Sequence, residues 1–246
     1  MGLNFSARCN LRKDNRPYWL KLWFDSFNNL YINHFIRPQL EESGIDFRVI
    51  GPRHLQISGP GITVADHVHM MALPDKPVRL AVFEGLGKIS IGSYCIVNPG
   101  VRISSACEIS IGHSCMLAMN AYLSDADWHD LQHRIYAPGA TGPIVLGNNV
   151  WIGDSALVCK GVTIGDNSVV GAWSVVTRDV PANLVVAGVP AKVVRELDPD
   201  NLTTRQDLFN GATPYESFEA DFDRKRLGGN SISGWLKSII KPGNSD

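Results

Sequence analysis

Between Ser124 and Asp130 the chain reads Ser-Asp-Ala-Asp-Trp-His-Asp, which gathers three carboxylates, one imidazole and one indole within seven residues, shortly after Asn120. Histidine has a reference pKa of ~6.5, so its neutral form is abundant near pH 7 and can act as a general base. A nearby carboxylate can orient the ring and stabilise the imidazolium that forms. On this reading His129 is the candidate base and Asp127 its orienting partner. Asn120, Asp125 and Trp128 are candidates for holding the molecule that loses the proton. The plain alternative is a solvated loop histidine, and His133 competes with His129 for the role.

The segment that must position these residues is repetitive. Leu146, Ile152, Val158, Ile164, Val170 and Val176 recur every six residues, each followed by a small residue: Gly147, Gly153, Cys159, Gly165, Gly171 or Thr177. A third column, Val150, Ala156, Val162, Ser168, Ser174 and Val180, is small or β-branched. The same register appears upstream in Ile91, Val97 and Ile103, and again in Ile111, Leu117 and Leu123. Two extra residues separate those blocks near Ser105–Cys107, and a longer break runs from Asp125 to about Gly142. A weaker first coil is expected over Ile57–Met70, followed by an excursion through Leu73–Gly87.

A six-residue period matches neither a helix nor a simple alternating strand. It suits very short strands joined by tight corners, three to a coil, with one aliphatic per strand pointing into a shared dry interior. A coil gains nothing structurally from ejecting a long polar loop, and such loops on rigid scaffolds often carry function.

These columns follow the pattern [LIV]-[GAED]-x-x-[STAV]-x, and the chain here resembles the hexapeptide-repeat acyltransferases over about 57–197. The resemblance implies a mainly β fold, a left-handed parallel β-helix, and it alone supplies the handedness. The run from Ile144 to Leu197 is similar to the C-terminal half of galactoside and maltose acetyltransferases, and bacterial polysaccharide-associated acetyltransferases are a further likeness. It implies acetyl-CoA as co-substrate, no metal, a homotrimer with sites between subunits, and a loop histidine as base, which by position is His129. Carried over by position, Trp151 walls the acetyl end. Asp154 and Ala172 meet the pantetheine arm, and Thr177, Arg178, Lys192 and Arg195 meet the nucleotide end. Such cations suit phosphate groups. One departure is Trp173, where the family commonly has glycine.

Acyl transfer from a thioester to a hydroxyl or amine needs a base, donors for the oxyanion and a groove for the phosphorylated carrier. The expected acceptor is a small sugar, with Tyr122, Trp128 and Tyr136 as a stacking face. Two other classes stay open. γ-Class carbonic anhydrases share the fold and bind zinc through three histidines, but the spacing of His67, His69 and His113 does not match them. A non-catalytic scaffold would have no use for His129 beside the cofactor-end cations.

The flanks read differently. Asp14 or Asn15 followed by Pro17 resembles a helix start, and Leu20, Trp23, Phe24, Phe27, Leu30, Tyr31 and Phe35 follow at helical spacing, with Pro38 as the break. This helix is expected to pack on the coil or a neighbouring subunit, with weak docking to a membrane or partner enzyme as the sharper reading. The expected division is a helical extension at 1–52, the β-helix at 53–197 with loop 125–142 extruded, and a polar C-terminal tail at 198–246 ending in a short helix near Trp235–Ile240.

Bulk numbers set the remaining bounds. The 246 residues are 44% hydrophobic with a net charge of −1, and no basic excess of the kind nucleic-acid binders carry is present. Five cysteines, Cys9, Cys95, Cys107, Cys115 and Cys159, form no CxxC pair and suggest a reducing cytoplasm. No apolar run approaches the ~20 residues of a membrane span, and no signal-peptide core is seen. Met1-Gly2 with Ser6 matches a myristoylation pattern too loose to weigh.

Overall fold

A computed structural model describes residues 14–210 and 215–241. Cys9 and the Met1-Gly2 pattern lie outside the described residues. Contacts divide the chain into two units, 28–208 and 1–27 with 209–246.

The larger unit is a three-faced parallel coil. Its strands fall into three ladders of six, eight and six, and the chain visits them in rotation as far as Val175–Val176. Strands Glu42–Ser43, Ile62–Val64, Ile89–Ile91, Ile109–Ile111, Ile144–Leu146 and Thr163–Ile164 form the first ladder. The third contains Leu55–Ser58, Val78–Val82, Arg102–Ser105, Tyr122–Ser124, Leu157–Val158 and Val175–Val176. All pairings are parallel except the last of the second ladder, where Leu184–Ala187 and Lys192–Glu196 form an antiparallel hairpin around the Gly188–Ala191 turn.

The hexad explains this geometry. The aliphatic column from Leu146 to Val176 is at most 2% exposed, and the upstream column from Ile91 to Leu123 is equally buried. Each fully buried Ile, Leu or Val stabilises by ~1.5–3 kcal/mol relative to exposure. The small third column, Val150 to Val180, is also buried and lets the corners close. Several corners adopt left-handed backbone: Asn149, Asn167 and Asn183 stack along one edge with φ of 56°, 60° and 61°. Asparagine tolerates that conformation better than most residues.

Two expectations need correction. Winding begins at Glu42–Ser43, which pairs with Thr63–Val64, well ahead of Ile57. The stretch 73–87 is no excursion, because Val78–Val82 pairs on both sides within the third ladder. Its inward residues Val78, Leu80 and Val82 alternate like any strand, but their neighbours break the hexad spacing.

The helix Tyr18–Tyr31 follows Pro17 as expected and passes into a π-turn at Ile32–Ile36 and a 3₁₀ turn at Arg37–Gln39 around Pro38. Ile32, Ile36 and Leu40 are buried in the core, whereas the helix itself buries none of its residues, leaving Trp19, Leu22, Trp23 and Phe27 exposed. In the smaller unit Lys21 pairs with Asp223 at 2.9 Å, and Asn230 Nδ2 donates to the carbonyls of Asp14 and Arg16. The Tyr215–Leu227 helix went unforeseen, since its charged sequence has no apolar stripe; the Ile232–Ile240 helix is where the tail reading put one. Among the described residues no helix is long and apolar enough to cross a membrane.

Candidate active site

The break after Leu123 becomes a loop leaving the third ladder at Ser124 and rejoining the first at Ile144. Its neck is closed by backbone bonds: Asp127 N–H donates to Ala140 O at 2.8 Å, Gly139 N–H to Asp127 O at 2.7 Å and Gly142 N–H to Asp125 O at 2.9 Å. Asp125 fastens the neck to the coil. Its buried carboxylate accepts from Ser105 Oγ at 2.6 Å, Ala106 N–H at 2.7 Å and Cys107 N–H at 2.9 Å. The two-residue insertion near Ser105–Cys107 thus falls where all three donors lie. Full burial removes Asp125 from the surface an acceptor would touch, so its expected acceptor contact becomes an anchoring role.

Asp127 is not hydrogen-bonded to the His129 ring. It accepts from Lys160 Nζ at 2.7 Å, a half-exposed ion pair linking the neck to the next coil. Lys160 follows Cys159 in the repeat, and nothing in the spacing singles it out. His129 is exposed, and among the described residues its imidazole has no hydrogen-bond or ion-pair partner. Beyond it Asp130 accepts the backbone N–H groups of Gln132 and His133, which hold its carboxyl below the ordinary range. His133 lies against Tyr136 with ring centroids 6.3 Å apart, and Tyr136 is not among the residues that line the hollow beside Tyr122 and Trp128.

Gly139 sets the height of His129. A Cβ at Gly139 would stand 2.4 Å from His129 O and 2.9 Å from Asp130 N. Gly139→Ala must therefore push the His129 backbone outward, and misplacement by ~1 Å can cost about 10²-fold in rate. With His129 as a catalytic base, the expected result is a much reduced kcat at an unchanged melting temperature, read by steady-state kinetics beside a melting curve. An unchanged kcat would show that the height of His129 does not matter.

Trp128 folds back over the outer face of the third ladder. Its Nε1 donates to Tyr122 Oη at 3.3 Å and its ring lies 6.0 Å from Phe83. These rings, with Ser58, Glu84 and Ser104, enclose a hollow of about 420 Å³. Beside it lies a second hollow of about 240 Å³, lined by Lys76, Arg79, Arg102 and Asn120 among others. Asn120 and Trp128, expected at the acceptor, thus line adjoining hollows. Phe83, Glu84, Lys76, Arg79 and Arg102 were missed. Arg102 was accessible in principle, since the residue before each inward aliphatic points out.

The remaining expected residues sit on the C-terminal coils. Trp151, 46% exposed, starts a strand of the second ladder, and Asp154 accepts from Ser155 Oγ at the following corner. Ala172 is exposed beside Trp173, which holds a left-handed φ of 58° while 74% exposed. A bulky residue in that conformation is strained by about 1–3 kcal/mol. Thr177 and Arg178 follow Val175–Val176, while Lys192 and Arg195 lie on the exposed final strand. Among the described residues Arg178, Lys192 and Arg195 pair with no carboxylate, so their charge is open to a phosphorylated ligand. No hydrogen bond or ring contact among the described residues joins them to His129.

Residues 143–178 match the family model described as bacterial transferase hexapeptide, six repeats. This stretch is a hexapeptide-repeat segment. The chain is 43% identical over 112 residues to galactoside O-acetyltransferase of Escherichia coli (strain K12), covering 45% of this chain and 55% of that one. It is 33% identical over 129 residues to the putative lipopolysaccharide biosynthesis O-acetyl transferase WbbJ of the same organism, covering 48% of this chain and 65% of the relative. The chain thus spans little more than half to two-thirds of the length of these relatives. The fold is also that of AntD, an N-acyltransferase from Bacillus cereus solved as a point mutant with dTDP and coenzyme A, at a TM-score of 0.51 and 16% identity, covering 78% of this chain and 96% of that one. Among the described residues no group of three or more His, Cys, Asp or Glu could hold a metal ion beside the hexapeptide segment or elsewhere. His67 and His69 instead face Asp46, and Arg205 contacts His69 Nδ1 at 2.7 Å.

Proposed function

We propose that this protein is an acetyl-CoA-dependent acetyltransferase acting on a hydroxyl or amine of a sugar-type acceptor, with His129 as general base. One observation carries the reading: the extruded His129 loop closes at Gly142, directly before residues 143–178, which match the bacterial transferase hexapeptide model. Acetyl-CoA supplies the thioester. The neutral His129 imidazole takes the acceptor's proton as its oxygen or nitrogen attacks the acetyl carbonyl, then returns it to the departing thiolate. Trp151, Asp154, Ala172, Thr177, Arg178, Lys192 and Arg195 hold the donor, while Asn120 and Trp128 face the acceptor. Asp127, tied to Lys160, holds the loop rather than the ring within one chain.

The same reading makes the coil a left-handed β-helix and the active protein a homotrimer. Within one chain no hydrogen bond or ring contact among the described residues joins His129 to the donor residues, which is consistent with a donor groove completed by a second copy. The functional division is catalysis by the coil, 53–197 with its first strands at 42–50, and docking by the helical N-terminal part and by 198–246, in a reducing cytoplasm, with the exposed Trp19, Trp23 and Phe27 supporting docking through the first helix.

The test is thiol release from acetyl-CoA against a panel of free, phosphorylated and amino sugars, with light scattering at the assay concentration. Acceptor-dependent release by a trimer is expected. Failure to bind coenzyme A would sink the reading, and a monomer with full turnover would sink the shared site.

A further inference from the structure

Arg79 and Arg102 are direct register partners on adjacent strands of the third ladder, with Gln56 and Tyr122 as the next partners on either side. Parallel neighbours lie ~4.8 Å apart, so the two guanidinium side chains leave the same face side by side and repel each other. Each is held by its stem side: Arg79 Nε donates to Gln56 Oε1 at 2.8 Å, and the Arg102 guanidinium lies 4.1 Å from the centroid of the Tyr122 ring. Lys76 reaches the same hollow and contacts Met119 Sδ at 2.8 Å. Among the described residues none of the three cations has a carboxylate partner within ion-pair distance, although Asp75 also lines the rim. Gly100 keeps the floor open, for a Cβ there would stand 2.3 Å from Asn120 Oδ1. Three cations around one small hollow, without a carboxylate partner among the described residues, have the chemistry that binds an anion.

The adjoining hollow has the opposite chemistry. Tyr122, Trp128 and Phe83 give it aromatic walls, and Glu84, Ser58 and Ser104 give it hydroxyl-binding groups. The Arg102 guanidinium on the Tyr122 ring is the wall the two hollows share. We propose that the acceptor is a sugar bearing a phosphoryl group, its ring in the aromatic hollow and its phosphate between Lys76, Arg79 and Arg102. The phosphoryl group belongs either to a sugar phosphate or to a nucleoside-diphosphate-activated sugar. This deepens the acetyltransferase reading, and rests on it only in naming the bound molecule an acceptor.

Calorimetry on the full chain separates the two questions. The probes are a free hexose, the hexose 1-phosphate, a nucleoside-diphosphate hexose and a hexuronate, each titrated into wild type and the Arg79→Gln/Arg102→Gln variant. Both arginines are exposed and outside the core, and an unchanged melting curve checks the fold. Phosphorylated probes should bind wild type at least about tenfold more tightly than the free hexose, and the variant should lose that margin. Binding should weaken with salt, and inorganic phosphate should compete. The tighter of the two phosphorylated probes identifies the source of the phosphate. Equal affinity for free and phosphorylated hexose, no binding of any probe, an undiminished margin in the variant, or equal affinity for the hexuronate would overturn the assignment. Thiol release is measured in parallel. Phosphate-dependent binding without any acetyl transfer would refute the enzymatic reading and leave the subsite standing, whereas transfer to a neutral sugar unaffected by the variant would do the reverse.

Discussion

His129→Ala should lower acetyl transfer by about 10²–10⁴-fold, the usual contribution of a positioned general base. Coenzyme A binding should change by less than about threefold, because the donor residues lie on other elements and share no hydrogen bond with His129. The imidazole carries no core packing, so the melting temperature should stay within about 2 °C of wild type. Steady-state kinetics with calorimetry and a melting curve read all three. His133→Ala serves as the control: its backbone is held by Asp130 and its ring lies against Tyr136. Full activity in His129→Ala together with loss in His133→Ala would transfer the role to His133.

Asp125→Ala should be the most destabilising single change in the loop. It leaves the Ala106 and Cys107 N–H groups and the Ser105 hydroxyl without an acceptor in a buried setting. Unsatisfied buried donors cost about 1–3 kcal/mol each, and removing one partner of a buried charged network about 3–5 kcal/mol in all. For a chain of this size that corresponds to a fall of about 10 °C in Tm. Asp125→Asn should recover only part of it, since its amide nitrogen would face donors. Activity should fall further than stability alone implies, because the same carboxylate sets where the neck leaves the coil. A Tm within about 2 °C of wild type would show that the anchor contributes little.

The coil was legible because its signal is redundant. Leu146 to Val176 repeat the same chemistry six times, and every one is buried where the period puts it. The first two turns were misread because Glu42–Ser43 is polar and Val78–Val82 lacks the hexad, so parallel pairing across coils, rather than local spacing, makes them strands. The site divides in the same way. Trp128 and Asn120 stood out by type and place, and each lines a hollow of its own. Asp125 and Asp127 looked alike in sequence, yet one is enclosed by three donors and the other held by a lysine more than thirty residues away. Arg79 and Arg102 are 23 residues apart and become neighbours only through register. Contacts made between turns of a coil leave no local trace.

The most direct test is a crystal structure of the assembled protein with bound coenzyme A. The account predicts a trimer with the thiol sulfur in the groove beside the loop, close enough that an acceptor atom ~3–3.5 Å from the acetyl carbon can also hydrogen-bond the His129 imidazole. A sulfur lying beyond the reach of His129 from every subunit would contradict it.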